Sequence, residues 1–115
     1  MSDRPESVEH EPTRQELAEL AGPVVVEFGA SWCGICRGFA PQMKQLLARH
    51  PEMLHLKIED GRGKRLGRSF QVKLWPTFVL MHDGEVVSRL VRPEPEEMQR
   101  ALDELAGHIA TNPAS

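Results

Sequence analysis

The sequence predicts an α/β domain: a mixed sheet of four or five strands with helices on both faces. Helical and strand-like apolar segments alternate along most of the 115 residues, which calls for parallel strands joined by helical crossovers. Near the end, Asp83-Gly84 separates two strand-like runs, a hairpin signal that adds an antiparallel pair. The length suits a single core.

The elements follow in order. Residues 1–12 are polar and proline-containing and are expected to be mobile. Thr13 with Glu16 forms a capping box, and Leu17, Leu20 and Ala21 give a short amphipathic helix that Gly22-Pro23 stops. Val24-Val25-Val26-Glu27-Phe28 reads as a central strand buried on both faces. From Gly34 to His50 the pattern turns helical, with Phe39, Met43, Leu46 and Leu47 on one face. Pro41 lies inside this helix and removes a backbone donor, so a kink is expected there. Met53 to Ile58 is a second strand, 64–70 a short helix, Thr77 to Met81 a third strand and Glu85 to Val91 its hairpin partner. Residues 94–110 close the chain as a helix, with Met98, Leu102, Leu105 and Ile109 at helical spacing, and 111–115 form a tail expected to be flexible.

Composition excludes several classes. A net charge of −3 with interspersed signs argues against nucleic acid. No apolar run approaches the roughly 18 residues of a membrane span. The N-terminal stretch MSDRPESVEHEPTR has no apolar h-region, which predicts a cytoplasmic protein. Cys33 and Cys36 are the only cysteines, and a lone CxxC in such a chain points to redox or metal chemistry.

Strand, turn and helix put Cys33 at the start of a helix with Cys36 one turn later. Side chains three apart on a helix are neighbours, and a disulfide between them closes so small a loop that it adds little stability. Unpaired amides and the positive dipole end of the helix stabilise a thiolate, which makes Cys33 the nucleophile. Cys36, deeper in the helix, is the resolving thiol that displaces whatever Cys33 captures. Glu27 is a carboxylate in a Val-rich strand, costly to bury unless it acts. Beneath the cysteine helix, desolvation would raise its pKa and suit it to exchange a proton with Cys36. Metal binding would need two further ligands, and the histidines, His50, His55 and His82 among them, show no ligand spacing and read as surface residues. No GxGxxG follows a strand, so no nicotinamide or flavin cofactor is expected beyond the Cys33–Cys36 disulfide itself.

"VVVEFGASWCGIC" and "FQVKLWPTFVLMHDGEVV" resemble the thioredoxin family, from about Thr13 to Ile109. The resemblance implies the thioredoxin fold over 13–110 and dithiol–disulfide exchange with protein substrates through a mixed disulfide, serving cell redox homeostasis. It also implies a partner reductase, a monomer, and a cis-proline loop, Trp75-Pro76-Thr77, that faces the cysteines and pairs with the substrate chain. Trp32, Gly34 and Ile35, with Trp75, would rim the groove where extended peptides dock. The sequence departs from the family in four places. Ile35 replaces the usual Pro. Glu27 stands for Asp. Gly29 replaces a bulky aromatic, leaving the site less covered. "VRPEP" stands where a glycine-containing loop is usual, so Arg92 would bring charge and bulk to the groove. The family's first strand has no clear counterpart, which favours four strands. The competing reading is a binding or chaperone module for a dedicated partner, in which the cysteines are secondary.

Ile35 in place of Pro is expected to move the redox potential above the roughly −270 mV of thioredoxin, toward the roughly −180 mV of disulfide isomerases. Equilibration with glutathione measures it, and a value at or below that of thioredoxin contradicts the expectation.

Overall fold

The central strand dictates the architecture. In the structure, a computed structural model that describes residues 11–111 with side chains as far as His108, β1 (Pro23–Gly29) is paired on both sides. Val24, Val25, Val26, Glu27 and Phe28 are all buried. Ahead of it lies α1 (Arg14–Ala18); after it come α2 (Gly34–Ala48), β2 (Leu54–Glu59), α3 (Arg65–Ser69), β3 (Thr77–His82), β4 (Glu85–Val91) and α4 (Pro95–Thr111). The sheet order is β2-β1-β3-β4, four strands among the described residues. β1 and β2 are parallel, with Val25 opposite His55 and Glu27 opposite Lys57. β3 runs antiparallel to β1 and to β4. It starts at the sheet end where β2 finishes, so the short α3 connection need not recross the sheet.

Alternation along the strands splits the core into two layers. Val24, Val26 and Phe28 of β1, with Val79 and Met81 of β3, face Leu17 of α1 and Leu66 of α3. Val25 of β1, with Phe78 and Leu80 of β3, faces Met43 of α2 and Met98, Leu102 and Leu105 of α4. Glu27 alternates with Phe28 and therefore points to the α2 side, beneath the helix that carries the cysteines. Ile109, expected on the apolar face of α4, lies beyond the described side chains.

Local chemistry fixes the ends of the elements. Thr13 Oγ1 accepts from the Glu16 N–H and Glu16 Oε1 accepts from the Thr13 N–H, both at 3.0 Å, completing the capping box. Residues 1–10 and 112–115 lie outside the described residues. Glu11 belongs to the segment expected to be mobile, yet its carboxylate accepts from the Arg65 and Leu66 N–H groups at 3.1 and 2.6 Å. It thereby satisfies the start of α3, whose N-cap Lys64 offers no side-chain bond. Pro41 sits within a continuous α2, and that helix ends at Ala48, two residues before the His50 that periodicity indicated. His50 and Pro51 belong to the turn that follows.

The β3–β4 hairpin turns on Asp83 (φ 52°) and Gly84 (φ 84°), the left-handed pair that a two-residue type I′ loop requires. A Cβ on Gly84 would lie 2.1 Å from the Ala18 carbonyl oxygen, so the loop packs directly on the end of α1. Asp83 reinforces the contact: its Oδ1 accepts from the Gly22 N–H at 2.8 Å.

Gly84→Ala is expected to lose about 2–4 kcal/mol of stability, combining left-handed strain with a backbone clash. Gly38→Ala, in the interior of α2 with open space where the Cβ would go, is expected to gain about 0.5–1 kcal/mol. Urea denaturation of the two variants checks both signs.

Candidate active site

β1 ends at Gly29 and the chain turns through Ala30, Ser31 and Trp32 into α2. Cys33 is the N-cap of that helix. Its backbone is extended (φ −80°, ψ 116°), and its sulfur accepts the Cys36 N–H at 3.2 Å. A sulfur thus fills the capping place normally taken by a Ser or Asp oxygen. Both cysteines are free thiols and both are buried, at 7% and 8% exposure.

Their acidities part in opposite directions. Burial alone raises the Cys33 thiol. Hydrogen bonds from the Cys36 side chain and from the Cys36 and Ile35 backbone, together with the positive Arg92, outweigh burial and hold it below the ordinary cysteine value. Cys36 is pushed up to about 11, first by burial, then by the hydrogen bond to Cys33 and by the negative charges of Cys33 and Glu27. One thiol is primed to ionise while the other keeps its proton.

Gly29 is explained by close approach. Its ideal Cβ would sit 2.7 Å from Cys36 Sγ, so a side chain at this position would press on the second thiol.

The Trp75–Pro76 peptide bond is cis, and the loop lies against the dithiol. Trp75 packs on Ala30, Cys33 and Cys36, and its ring meets Trp32 edge-on at 5.3 Å. Its Nε1–H donates to Asp60 Oδ2 at 2.8 Å. Arg92 adopts φ 48°, its Nε–H donates to the Trp75 carbonyl at 2.7 Å and its N–H to the Pro76 carbonyl at 3.0 Å. Trp32 is 71% exposed and Ile35 50%, with Gly34 exposed between the cysteines, which leaves an open apolar rim. Thr77 is fully buried at the start of β3, and its hydroxyl donates to the Leu74 carbonyl at 2.6 Å.

Glu27 is 5% exposed and pairs with a residue the sequence left on the surface: His55 Nε2 lies 2.7 Å from its Oε1. Three histidines read as surface residues are in fact tucked against carboxylates. The His50, His55 and His82 side chains are 13%, 18% and 9% exposed, facing Asp103, Glu27 and Asp83. The reason is topological: each partner comes from a different element or from a turn geometry that spacing does not encode. Asp60 was also missed. It joins the end of β2 to β1 through its N–H to the Gly29 carbonyl at 2.7 Å, and holds the Trp75 indole. The adjacent Glu59-Asp60-Gly61 run signalled only a turn.

Among the described residues, no group of three or more His, Cys, Asp or Glu side chains is placed to hold a metal ion. No described helix is long and apolar enough to cross a membrane.

The family model described as thioredoxin matches residues 5–104. A thioredoxin H-type protein of Ricinus communis is 33% identical over 97 residues, covering 84% of this chain and 80% of that protein. Thioredoxin H1 of Arabidopsis thaliana is 33% identical over 96 residues, covering 84% and 82%. Among solved structures, reduced thioredoxin 2 from Pseudomonas aeruginosa PAO1 superposes with a TM-score of 0.80 at 48% identity, covering 92% of this chain and 99% of that one.

The opposed acidities carry a sign that can be measured. A Cys36 thiol raised from 9.0 to about 11 contributes stability that is complete below pH 9 and is lost as pH rises through 11. The lowered Cys33 thiol acts oppositely: its contribution is present above the unfolded pKa and lost as pH falls through the folded value. Reduced protein is therefore expected to lose stability between pH 9 and 11 more steeply than Cys36→Ser, as read by thermal melts across that range.

Proposed function

The chain belongs to the thioredoxin family and is a protein thiol–disulfide oxidoreductase, and from that premise we propose how its residues divide the reaction. Cys33 is the nucleophile. The observation that carries this is its sulfur at the N-cap of α2, accepting the Cys36 N–H at 3.2 Å with its acidity increased. As thiolate it attacks a substrate disulfide: a Cys33–substrate S–S bond forms, the substrate S–S bond breaks, and one substrate thiolate leaves. Cys36 then gives up its proton and attacks Cys33. The Cys33–Cys36 bond forms as the Cys33–substrate S–S bond breaks, and the second substrate sulfur leaves as thiolate. Two electrons pass from the dithiol to the substrate, and every step is reversible. The redox group is the protein's own dithiol, and no external cofactor is needed.

Glu27 is the proton acceptor for Cys36. It is buried on the α2 side of β1, and it shares with Cys36 the lining of a 220 Å³ cavity with room for water. Substrate chains dock against the rim of Trp32, Gly34, Ile35 and Trp75, and pair with the backbone of the Trp75-Pro76-Thr77 loop. Arg92 braces that loop and favours the Cys33 thiolate. A separate reductase restores the dithiol when the protein works as a reductant. A monomer in a reducing compartment such as the cytoplasm suits a chain with no structural disulfide. The binding-module reading is not favoured by relatives that are themselves thioredoxins.

Insulin reduction with dithiothreitol as donor tests the assignment. Cys33→Ser is expected to fall to the uncatalysed rate. Cys36→Ser is expected to lose turnover by 100-fold or more while accumulating a covalent adduct on Cys33, visible by mass spectrometry. Catalysis retained by Cys33→Ser, or an adduct mapped to Cys36 in the wild type, refutes the division of roles.

A further inference from the structure

Glu27 lies where two cavities meet. The smaller one, 220 Å³, is lined by Glu27 and Cys36; the larger, 630 Å³, by Glu27 and His55. Besides Glu27, the two share only Ala40 and Lys57. Parallel register explains how His55 gets there. It sits opposite Val25 on β2, two residues before Lys57, and so on the same face as Glu27. Its ring reaches one pleat forward and bonds the carboxylate at 2.7 Å.

A carboxylate buried to this degree is costly without a partner, and a proton arriving on it abolishes the charge that its partner balances. An imidazole is the side chain whose own charge can change in response near neutral pH. We propose that His55 is a positioning residue that works with Glu27 as one charge-neutral pair, sending the proton of Cys36 out to solvent through the larger cavity. The proposal rests on Glu27 being the acceptor for Cys36.

The step balances as follows. Before resolution the pair is carboxylate and imidazolium, with Nε2–H donating to Oε1. Cys36 delivers its proton to the carboxylate and becomes the attacking thiolate. The pair then holds a neutral carboxylic acid, and the ring releases its Nδ1 proton to water in the larger cavity. Cys36 has lost one proton, solvent has gained one, and the pair stays at zero net charge in both states. Reduction of the disulfide runs the same transfers backwards. The other charged or titratable groups around the two cavities are Lys57 and Glu59 from β2, and Arg37, Lys44 and Cys36 from α2. None of them is hydrogen-bonded to Glu27, whose partner is His55.

The test isolates the resolving step in the full chain. A mixed disulfide between Cys33 and a fluorescent cysteine peptide is prepared at pH 4, then jumped to values from pH 5 to 9, and peptide release is timed. Wild type is expected to show an inflection within that range. His55→Gln, which keeps a hydrogen-bond donor but cannot titrate, is expected to lose that inflection and to release peptide about 10-fold more slowly at pH 7. His55→Ala is expected to recover at least half of the lost rate with added imidazole. Combining His55→Gln with Glu27→Gln should slow release no further than Glu27→Gln alone. If His55→Gln keeps the wild-type rate and inflection while Glu27→Gln is slow, the paired mechanism is overturned and the role of Glu27 stands. If Glu27→Gln is itself as fast as wild type, the acceptor assignment beneath it fails.

Discussion

The first turn of a helix has amide groups with no helical partner, and here a sulfur accepts one of them. That hydrogen bond, from the Cys36 N–H to Cys33 Sγ, orders the rest of the site. It stabilises charge on one cysteine. It holds the second cysteine one turn away, where the thiol presses into the space left by Gly29. It also fixes the start of α2 over the end of β1, so that Glu27 lies beneath the pair. The sheet supports this arrangement because β1 is central: strands on both sides and helices on both faces leave its exit point little freedom.

Most of this architecture is visible in the residues because its determinants are local. The β-branched run of β1, the Thr13–Glu16 box and the Asp83-Gly84 turn each specify an element within a few positions. β4 is found over Glu85–Val91, as the hairpin signal indicates, and α4 begins one residue later than expected. Element ends are less legible. α2 stops at Ala48 because Arg49 caps it, whereas apolar spacing alone ran on to His50. What could not be read is the strand order and the pairing of β3 with β1. Those depend on which end of the sheet the chain re-enters, a property of the whole topology.

The site divides in the same way. Cys33 and Cys36 announce themselves by spacing, Pro76 by the family resemblance, and Glu27 by the cost of a carboxylate in an apolar strand. Their supports are non-local. His55 reaches Glu27 only through parallel register, and Asp60 meets Trp75 only because a loop fifteen residues on folds back against the end of β2. Gly29 shows the limit most clearly. From sequence it is an uncovered position; in three dimensions it is also the place where the second thiol comes within contact of the backbone.

The placement of the indoles has an optical consequence. The chain contains two tryptophans and no tyrosine, and the two rings meet at 5.3 Å beside the dithiol. Intrinsic emission therefore originates entirely at the reactive corner, with one ring in water and the other against sulfur. Any signal from the unlabelled protein reports on that corner before it reports on the rest of the domain, so the molecule carries its own gauge of whether its electrons are in hand or spent.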